Sequence, residues 1–475
     1  MRRIGLTLII LLVVILPSML VTATGSMTLF NDTGTEVFGL RVSFDQSVTI
    51  TDMGTGFGSW AVQEDQDTIV FQDGSVNAWG DFWFFWEPED AALVSHEWFL
   101  ERPRDPFITS PFPFWGFTLQ GLKGSGGFNN PSLFASLDRL IETGANSVIV
   151  APQVFMGPST SSDIEPVNTR YGHQLTYIAR AIEYLVNAGI VVSIKPNLVP
   201  NDGSWSAKIA PEDPDLWFQN YNEILLAYAQ LAEDTGVAVL YLTNEMKSMI
   251  VNPLYTDYWI DIIKSIKNVF SGGISLNATI NDCGRDNASI ANSEVMNIPF
   301  ADQLDFVGVS FYLPLTDKDD PTVGELESAW YGNRDGVNLI EALKDIYRQY
   351  GKPLMISEIG YLSRDGANKR PWDLTTVGVV DYQEQADLFE ALMQVLAREG
   401  LSAEEDWLRG VSIWAWFTCT DPATQLRPGR YAGVLFGKQG EVVQNKPAEE
   451  VLTEWFHRLG GRKSPDNSGK VEAAD

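Results

Sequence analysis

The chain alternates short apolar runs with long amphipathic segments eight times after residue 107, and this rhythm limits its possible folds more than any other feature. The apolar runs are continuous, as expected for strands that are buried on both faces of a parallel sheet. The eight predicted strands cover Trp115–Gln120, Ser147–Gln153, Val191–Pro196, Val237–Thr243, Ile274–Ile280, Phe306–Tyr312, Pro353–Ser357 and Val411–Trp416.

The segments between these runs repeat their apolar residues every three or four positions, which is the period of an amphipathic helix. The clearest stripes cover 133–141 and 175–186, and each is followed by a glycine that can end a helix. Further helical stripes lie at 218–228, 339–346 and 388–396, with another helix predicted near 286–297.

Eight strand–helix units predict an α/β fold, a (β/α)8 TIM barrel, over residues 108–460. A doubly wound open sheet is the alternative, but it would need a Gly-x-Gly-x-x-Gly loop after its first strand. The glycine-rich segment 121–127 does not match that pattern. The strand-to-helix connections are long, and in barrels these connections build the active site. They cover 197–213, 313–335, 361–381 and 417–446.

Residues 26–105 have a different pattern, in which short alternating runs are separated by Gly, Asn and Asp turn signals. We interpret this region as a small β-sandwich that precedes the barrel. Two interpretations of its role stay open, a sugar- or surface-binding module and a structural cap that buries its own aromatic residues. The polar segment 461–475 is predicted to be a disordered tail.

The first 23 residues have the composition of an export signal. Arg2 and Arg3 precede an apolar stretch, and Ala23 ends a small-residue cleavage site. The stretch approaches the length that spans a bilayer, so an uncleaved membrane tether is the alternative to a cleaved signal peptide. Either interpretation predicts a secreted protein or one on the extracellular face of the membrane.

The charge and the metal-binding residue types exclude several classes of function. With 33 Lys+Arg against 62 Asp+Glu, the net charge of −29 argues against a nucleic-acid partner. The three histidines, His96, His173 and His457, are scattered, so we predict neither a metal nor a cofactor. Cys283 and Cys419 are interpreted as two free thiols, with a single bridge between them as the alternative.

Two of the eight predicted strands end in glutamate, the fourth at Glu245 and the seventh at Glu358. In a closed parallel barrel both side chains would converge on one mouth. Two carboxyls about 5–5.5 Å apart are what retaining glycoside hydrolysis uses, one as nucleophile and one as acid/base. A salt bridge or a helix cap is the structural alternative for either residue alone.

Several segments carry a more specific likeness. Asn244-Glu245 stands on strand four and Glu358 on strand seven; the other matching segments are Ile194–Asn197, Asn201–Trp205, Tyr228–Ala232, Phe311–Leu315 and Ser357–Tyr361. Over residues 112–460 the chain resembles the clan A glycoside hydrolases, and within them family 113, the β-mannanase-type barrels. The resemblance implies Glu245 as acid/base and Glu358 as nucleophile. The family usually carries His where Asn197 stands, so the sugar stays open.

Strand ends near the two glutamates supply further candidates. Asn244 is predicted to hold a 2-hydroxyl group of the sugar, or to cap the loop that follows its strand. Tyr312 is predicted to hydrogen-bond Glu358 or to pack as a rim aromatic. For Lys195 we expect a contact with sugar hydroxyls, an ion pair with a carboxylate in the mouth, or both. Gln153, Asn197 and Tyr361 complete the predicted polar and aromatic contacts with the substrate.

Tryptophans are the predicted stacking surfaces for sugar rings. Trp414 and Trp416 share one face of strand eight, and the clan pattern suggests that one of them forms the floor under the reacting sugar. We favour Trp414 and expect Trp416 in the core. Trp205 and Trp372 lie on long loops and are candidates for outer subsites, with ordinary loop packing as the alternative.

The leading hypothesis is therefore a secreted, retaining endo-β-glycosidase that hydrolyses a β-1,4-linked polysaccharide or oligosaccharide, with mannan as the expected substrate. A β-glucanase or β-galactanase of the same clan is the first alternative. A carbohydrate-binding surface protein without catalytic activity is the second.

Overall fold

The computed structural model describes fourteen segments of the chain. It divides into two compact units, residues 1–109 and 110–475. The predicted signal (1–23), the predicted tail (461–475) and Cys283 lie outside the described residues. No helix within the described part is long and apolar enough to cross a bilayer. The described segments are 25–30, 39–46, 49–53, 59–62, 68–72, 81–87, 91–99, 113–121, 126–167, 172–281, 290–376, 378–402, 407–422 and 438–460.

The first unit contains two antiparallel sheets. Its strands are β1 (Gly25–Phe30), β2 (Gly39–Phe44), β3 (Thr49–Met53), β4 (Ser59–Val62), β5 (Thr68–Gln72), β6 (Asp81–Glu87) and β7 (Leu93–Phe99). One sheet has the order β1-β6-β3 and the other β4-β5-β2-β7. Leu40, Val42 and Ile69 are fully buried, as the alternating pattern of β2 and β5 requires. The β-sandwich and its two possible roles stay predictions.

The second unit is a closed ring of eight parallel strands, which confirms the predicted (β/α)8 barrel. Each ring strand pairs with the ring strand that follows it along the chain, and the last ring strand pairs with the first. The ring strands are β8 (Phe114–Gln120), β9 (Ser147–Ala151), β11 (Val191–Ile194), β13 (Val239–Asn244), β14 (Gly273–Thr279), β15 (Val307–Ser310), β16 (Leu354–Ile359) and β17 (Leu408–Phe417).

Two short strands continue beyond the ring, β10 (Gln153–Met156) and β12 (Asn197–Pro200). They pair in parallel with each other, so the second and third strands extend past the barrel mouth as a separate two-stranded sheet. Each break falls next to a proline, Pro152 or Pro196. Proline has no N–H to donate to the ladder, which explains why the predicted strands stop there and resume beyond.

Nine α-helices lie in the described part of the second unit. Several of them begin with a recognisable start signal. One helix starts at Pro214, and the Asp213 side chain before it accepts from Leu216 N–H at 3.1 Å. The helices are α1 (Leu133–Glu142), α2 (Leu175–Asn187), α3 (Pro214–Thr235), α4 (Lys247–Ile250), α5 (Thr256–Lys267), α6 (Val323–Tyr331), α7 (Leu339–Tyr350), α8 (Tyr382–Ser402) and α9 (Pro447–Leu459).

The helix prediction needs correction in the middle of the barrel. The segment near 286–297 is not an α-helix where the structure describes it, since only a 3₁₀ turn at Ile290–Asn292 is found. Part of the predicted helix, 282–289, lies outside the described residues. The fold instead contains α5, which the sequence analysis did not single out, although Trp259, Ile262 and Ile266 form a buried stripe at helical spacing.

Candidate active site

The carboxyl ends of the barrel strands surround a cavity of about 760 Å³. Such a volume lies within the range of binding sites for small organic ligands. Its lining combines carboxylates, amides and aromatic rings. The residues that line it are Asn197, Leu198, Val199, Pro200, Asp202, Gly203, Ser204, Trp205, Ser206, Lys208, Asn244, Glu245, Asn281, Tyr312, Glu358, Trp372, Leu374, Trp414 and Glu441.

Glu245 stands directly after the last residue of β13 in an uncommon backbone conformation. Its φ is 53°, in the left-handed region that side chains other than glycine rarely adopt. The backbone N–H of Glu245 donates to the Asn277 carbonyl at 2.8 Å, and Ser206 Oγ donates to the Glu245 carbonyl at 2.9 Å. Two contacts therefore hold a conformation that costs about 1–3 kcal/mol, and such outliers concentrate at functional sites.

The Glu245 carboxyl receives two hydrogen bonds. Trp205 Nε1 donates to Oε2 at 2.7 Å, and Ser310 Oγ donates to Oε1 at 2.5 Å. Burial, followed by the charge of Glu358, raises the pKa of Glu245 to about 7, although the two hydrogen bonds and Lys195 act in the opposite direction. The acid form of this carboxyl therefore persists to a higher pH than in an unperturbed glutamate.

Glu358 lies inside β16, is 5% exposed, and has a different environment. Lys195 Nζ donates to its Oε2 at 2.6 Å, and Asn277 Nδ2 lies 3.3 Å from the same oxygen. The Tyr312 hydroxyl donates to Oε1 at 3.3 Å. One ammonium group and two neutral donors thus surround this carboxyl.

Asn277, in β14, contacts both glutamates, Glu245 through its backbone carbonyl and Glu358 through its side chain. The sequence analysis did not single it out. Its Nδ2 donates to Asn244 Oδ1 at 2.5 Å as well as to Glu358, and its Oδ1 accepts from Ser357 Oγ at 2.5 Å. A signal was present in the sequence. Ser275, Asn277 and Thr279 alternate with apolar residues in β14, and all three are buried, so a polar row faces inward on that strand.

Lys195 is fully buried and does not line the cavity. Besides its ion pair with Glu358, its Nζ donates to the Ser357 carbonyl at 3.3 Å. The structure contains the predicted ion pair, and the contact of Lys195 with sugar hydroxyls stays a prediction.

We expect the substitution Lys195→Met to lower the free energy of unfolding by about 3–5 kcal/mol, because it leaves Glu358 buried without its cation. Chemical denaturation would measure the change. Lys264→Met is the matched control, since Lys264 pairs with Asp261 at the surface with 68% and 74% of the two side chains exposed. The control should change stability by about 1 kcal/mol or less. Equal losses in both variants would contradict the structural importance of the buried pair.

Five of the predicted substrate-contacting residues line the cavity, and so does the loop residue Trp372. The two tryptophans of β17 separate as expected, because Trp416 is fully buried while Trp414 faces the cavity. The Trp416 indole N–H donates to Ser136 Oγ at 2.9 Å in the core. The five residues are Asn197, Trp205, Asn244, Tyr312 and Trp414.

Tyr361 and Gln153 are not among the lining residues, and the predicted contact of Tyr361 with substrate is wrong. Tyr361 is 2% exposed and packs against Phe389 of α8, with ring centroids 5.1 Å apart. It lies three residues beyond Glu358, so the alternation of the strand turns it toward the helices. Gln153 belongs to β10, where its N–H donates to His173 Nδ1 at 3.0 Å.

Glu441 is a cavity residue that the sequence analysis missed. It lies between β17 and α9, is 3% exposed, and belongs to none of the predicted strand ends. Burial, then the charges of Glu358 and Glu245, raises the pKa of Glu441 well above its ordinary value. No regular strand or helix pattern points to it, because it belongs to neither a strand nor a helix.

The described residues contain no group of three or more His, Cys, Asp or Glu side chains arranged to hold a metal ion. Cys419 is a buried free thiol, and burial raises its pKa to about 12. Since Cys283 is outside the described residues, the alternative of a bridge stays open.

Comparison with known proteins identifies one family and several solved structures with a similar fold. The model of Glycoside Hydrolase Family 113 matches residues 115–428. A GH113 β-mannanase from Alicyclobacillus acidocaldarius, solved with ManMIm, is 24% identical with a TM-score of 0.57, covering 74% of this chain and 99% of that one. A GH113 β-1,4-mannanase complex is 21% identical with a TM-score of 0.56, covering 73% and 99%. A comparison with curated protein sequences finds no match.

Proposed function

The chain belongs to Glycoside Hydrolase Family 113 and is a glycoside hydrolase with a (β/α)8 barrel, and from this premise we propose that it hydrolyses β-1,4-linked mannan with retention of configuration. One observation carries the proposal. Two carboxyls face a single cavity in different surroundings: Glu358 is paired with the Lys195 ammonium group, and the pKa of Glu245 is raised by burial and by the charge of Glu358. Retaining hydrolysis needs one carboxylate and one carboxylic acid at rest.

The proposed nucleophile is Glu358. It accepts hydrogen bonds from Lys195, Asn277 and Tyr312, three donors that suit a carboxylate acceptor. In the first step one carboxylate oxygen forms a bond to the anomeric carbon while the bond from that carbon to the leaving oxygen breaks. The leaving oxygen takes the proton of Glu245, the proposed acid. The product is a covalent glycosyl ester of Glu358 and a free sugar alcohol.

In the second step a water molecule attacks the anomeric carbon and the ester bond breaks. Glu245, now ionised, takes a proton from that water and returns to its starting state. Two inversions at one carbon give net retention. The hydrogen bonds from Trp205 and Ser310 orient the Glu245 carboxyl for both proton transfers without holding it permanently ionised.

Two further residues fit the reacting sugar. Asn244 uses its Oδ1 to accept from Asn277, which leaves its Nδ2 as a donor for the sugar hydroxyl next to the anomeric carbon. Trp414 offers its ring as a stacking surface in the cavity lining. Trp205, Trp372 and Leu374 add apolar surface, which supports contact with more than one sugar and so an endo mode of cleavage.

Mannan is the first substrate to test, because the solved structures named above are described as β-mannanases. β-Glucan and β-galactan are the alternatives within the same mechanism. The test is a screen of oligosaccharides of the three series for new reducing ends, followed by NMR of the first anomer released. A β-anomer released from manno-oligosaccharides supports the proposal. Release of the α-anomer would exclude retention. Activity on the gluco- or galacto-oligosaccharides alone would show that mannan is not the substrate. Export through segment 1–23 is part of the same proposal.

We expect the activity to disappear as the pH rises through about 7. Glu245 must carry a proton to protonate the leaving oxygen, and its pKa lies at about 7. Below this value the acid form is available, and above it kcat/KM should fall about tenfold per pH unit. The profile of kcat/KM between pH 5 and pH 9 on an oligosaccharide measures the effect. A flat profile across this range would contradict the assignment of Glu245 as the acid.

A further inference from the structure

Glu441 is a carboxyl in the cavity lining that the proposed mechanism does not use. Three glutamates face this cavity, although two are enough for double displacement. Burying a carboxyl is costly unless it has a partner or a ligand. The position of Glu441 therefore requires its own explanation.

The backbone around Glu441 is fixed by several buried contacts. The carbonyl of the preceding Gly440 accepts from Ser363 Oγ at 2.8 Å and from Lys446 Nζ at 2.9 Å. The carbonyl of Glu441 itself accepts from Gln385 Nε2 at 3.3 Å. Because donors from three separate segments hold these two carbonyls, the Glu441 side chain starts from a preorganised position.

The Glu441 carboxyl lies beside both Trp414 and the nucleophile strand. The Trp414 side chain acts on this carboxyl and opposes the rise of its pKa. A Cβ atom placed on Gly360, two residues after Glu358, would lie 3.4 Å from Glu441 Oε1 and 2.7 Å from the Trp414 carbonyl. Glycine at position 360 thus allows the close approach of the Trp414 carbonyl, and Glu441 Oε1 lies within ordinary contact distance of the same position.

No ion pair among the described residues joins Glu441 to a cation. The charge of the buried Lys446 acts on Glu441, but neither of the two buried lysines nearby forms a direct ion pair with it. Lys195 pairs with Glu358, and Lys446 donates to Ser363 Oγ at 2.6 Å as well as to Gly440. A carboxyl has about four acceptor positions, so the single Trp414 contact leaves most of the hydrogen-bonding capacity of Glu441 for a ligand.

We infer that Glu441 hydrogen-bonds hydroxyl groups of the sugar ring that stacks on Trp414, and that this contact determines which hexose the cleft accepts. The inference rests on the proposed function and adds a specificity-determining residue to it. In this arrangement the sugar ring stacks on the Trp414 ring, and the Glu441 carboxyl hydrogen-bonds only those sugar hydroxyls that point toward it. The raised pKa of Glu441 is consistent with this role, since a neutral carboxyl both donates and accepts, as a sugar hydroxyl does.

The test compares wild type with Glu441→Ala and Glu441→Gln on an activated aryl β-disaccharide and on analogues that each lack one hydroxyl in the ring next to the aryl group. The substrate series is made in whichever hexose the wild type cleaves. We expect Glu441→Ala to lower kcat/KM about 10- to 100-fold on the intact sugar, the range for a lost hydrogen bond at a buried polar site. On one deoxy analogue, variant and wild type should differ by less than about threefold.

Glu384→Ala is the matched control. Glu384 is also a buried glutamate, 7% exposed, but it accepts from the backbone N–H groups of Gly366 and Asn368 and does not line the cavity. Any loss in this control should be the same for every analogue. An equal loss for Glu441→Ala on all analogues, or no loss, would overturn the inference. A wild type that cleaves none of the sugars would instead refute the proposed function, so the two failures are distinguishable.

Discussion

Glu358→Ala is expected to lower kcat/KM on oligosaccharides by about 10⁴-fold or more, the largest effect of any single substitution in this protein. The substitution removes the oxygen that forms the covalent bond to the anomeric carbon, and no other group in the lining replaces it in position. Release of reducing ends from manno-oligosaccharides measures the loss.

Added azide provides the diagnostic result for this variant. A small anion can enter the space that the carboxylate left and attack the anomeric carbon of an activated aryl glycoside directly. One displacement in place of two gives the α-glycosyl azide from a β-glycoside. Glu358→Gln is the companion variant, because it keeps the side-chain volume near Lys195 if alanine destabilises the barrel. Full activity in both variants would contradict the assignment of Glu358 as the nucleophile. A wild type without hydrolytic activity would leave a carbohydrate-binding protein as the better description.

Glu245→Ala is expected to have an effect that depends on the leaving group. On oligosaccharides, whose leaving alcohol needs a proton, kcat/KM should fall by about 10²–10⁴-fold. On an aryl glycoside with an acidic phenol, the first step needs no proton and should stay close to the wild-type rate. Comparing the two substrate classes with the same enzyme preparation measures the difference.

The same variant has two further signatures. Azide should now accelerate the second step and yield the β-glycosyl azide, because the Glu358 ester is attacked from the opposite face. The loss of activity above pH 7 should also disappear on the aryl substrate, since the group responsible is gone. A uniform loss on both substrate classes would instead indicate that Glu245 shapes the cleft without transferring protons.

The barrel could be predicted because its strands are continuous apolar runs, which are typical of strands buried on both faces of a parallel sheet. The eight predicted runs all correspond to ring strands. The errors fall where local chemistry overrides the pattern. Pro152 and Pro196 divide two predicted strands, and between β14 and β15 the described residues turn in 3₁₀ geometry where a helix was expected.

The candidate site was partly predictable for a similar reason. A strand end fixes the position of its side chain, so Glu245, Glu358 and Asn244 could be placed from the sequence at one mouth. Asn277 was missed because it lies inside a strand and not at its end, although the alternation of polar and apolar residues in β14 was a signal for it. Glu441 was missed because a long loop carries it, and no local pattern determines where such a loop returns.

The hydrogen-bonded cluster around the two glutamates draws on five separate ring strands or strand ends, from Lys195 to Glu358. Its members are distant along the chain and become neighbours only when the ring is complete. A nascent chain that lacks its seventh strand therefore holds every partner of the nucleophile but no nucleophile. Hydrolytic activity should therefore appear late and abruptly as the chain is synthesised and folds. The time at which activity appears would report when the barrel closes.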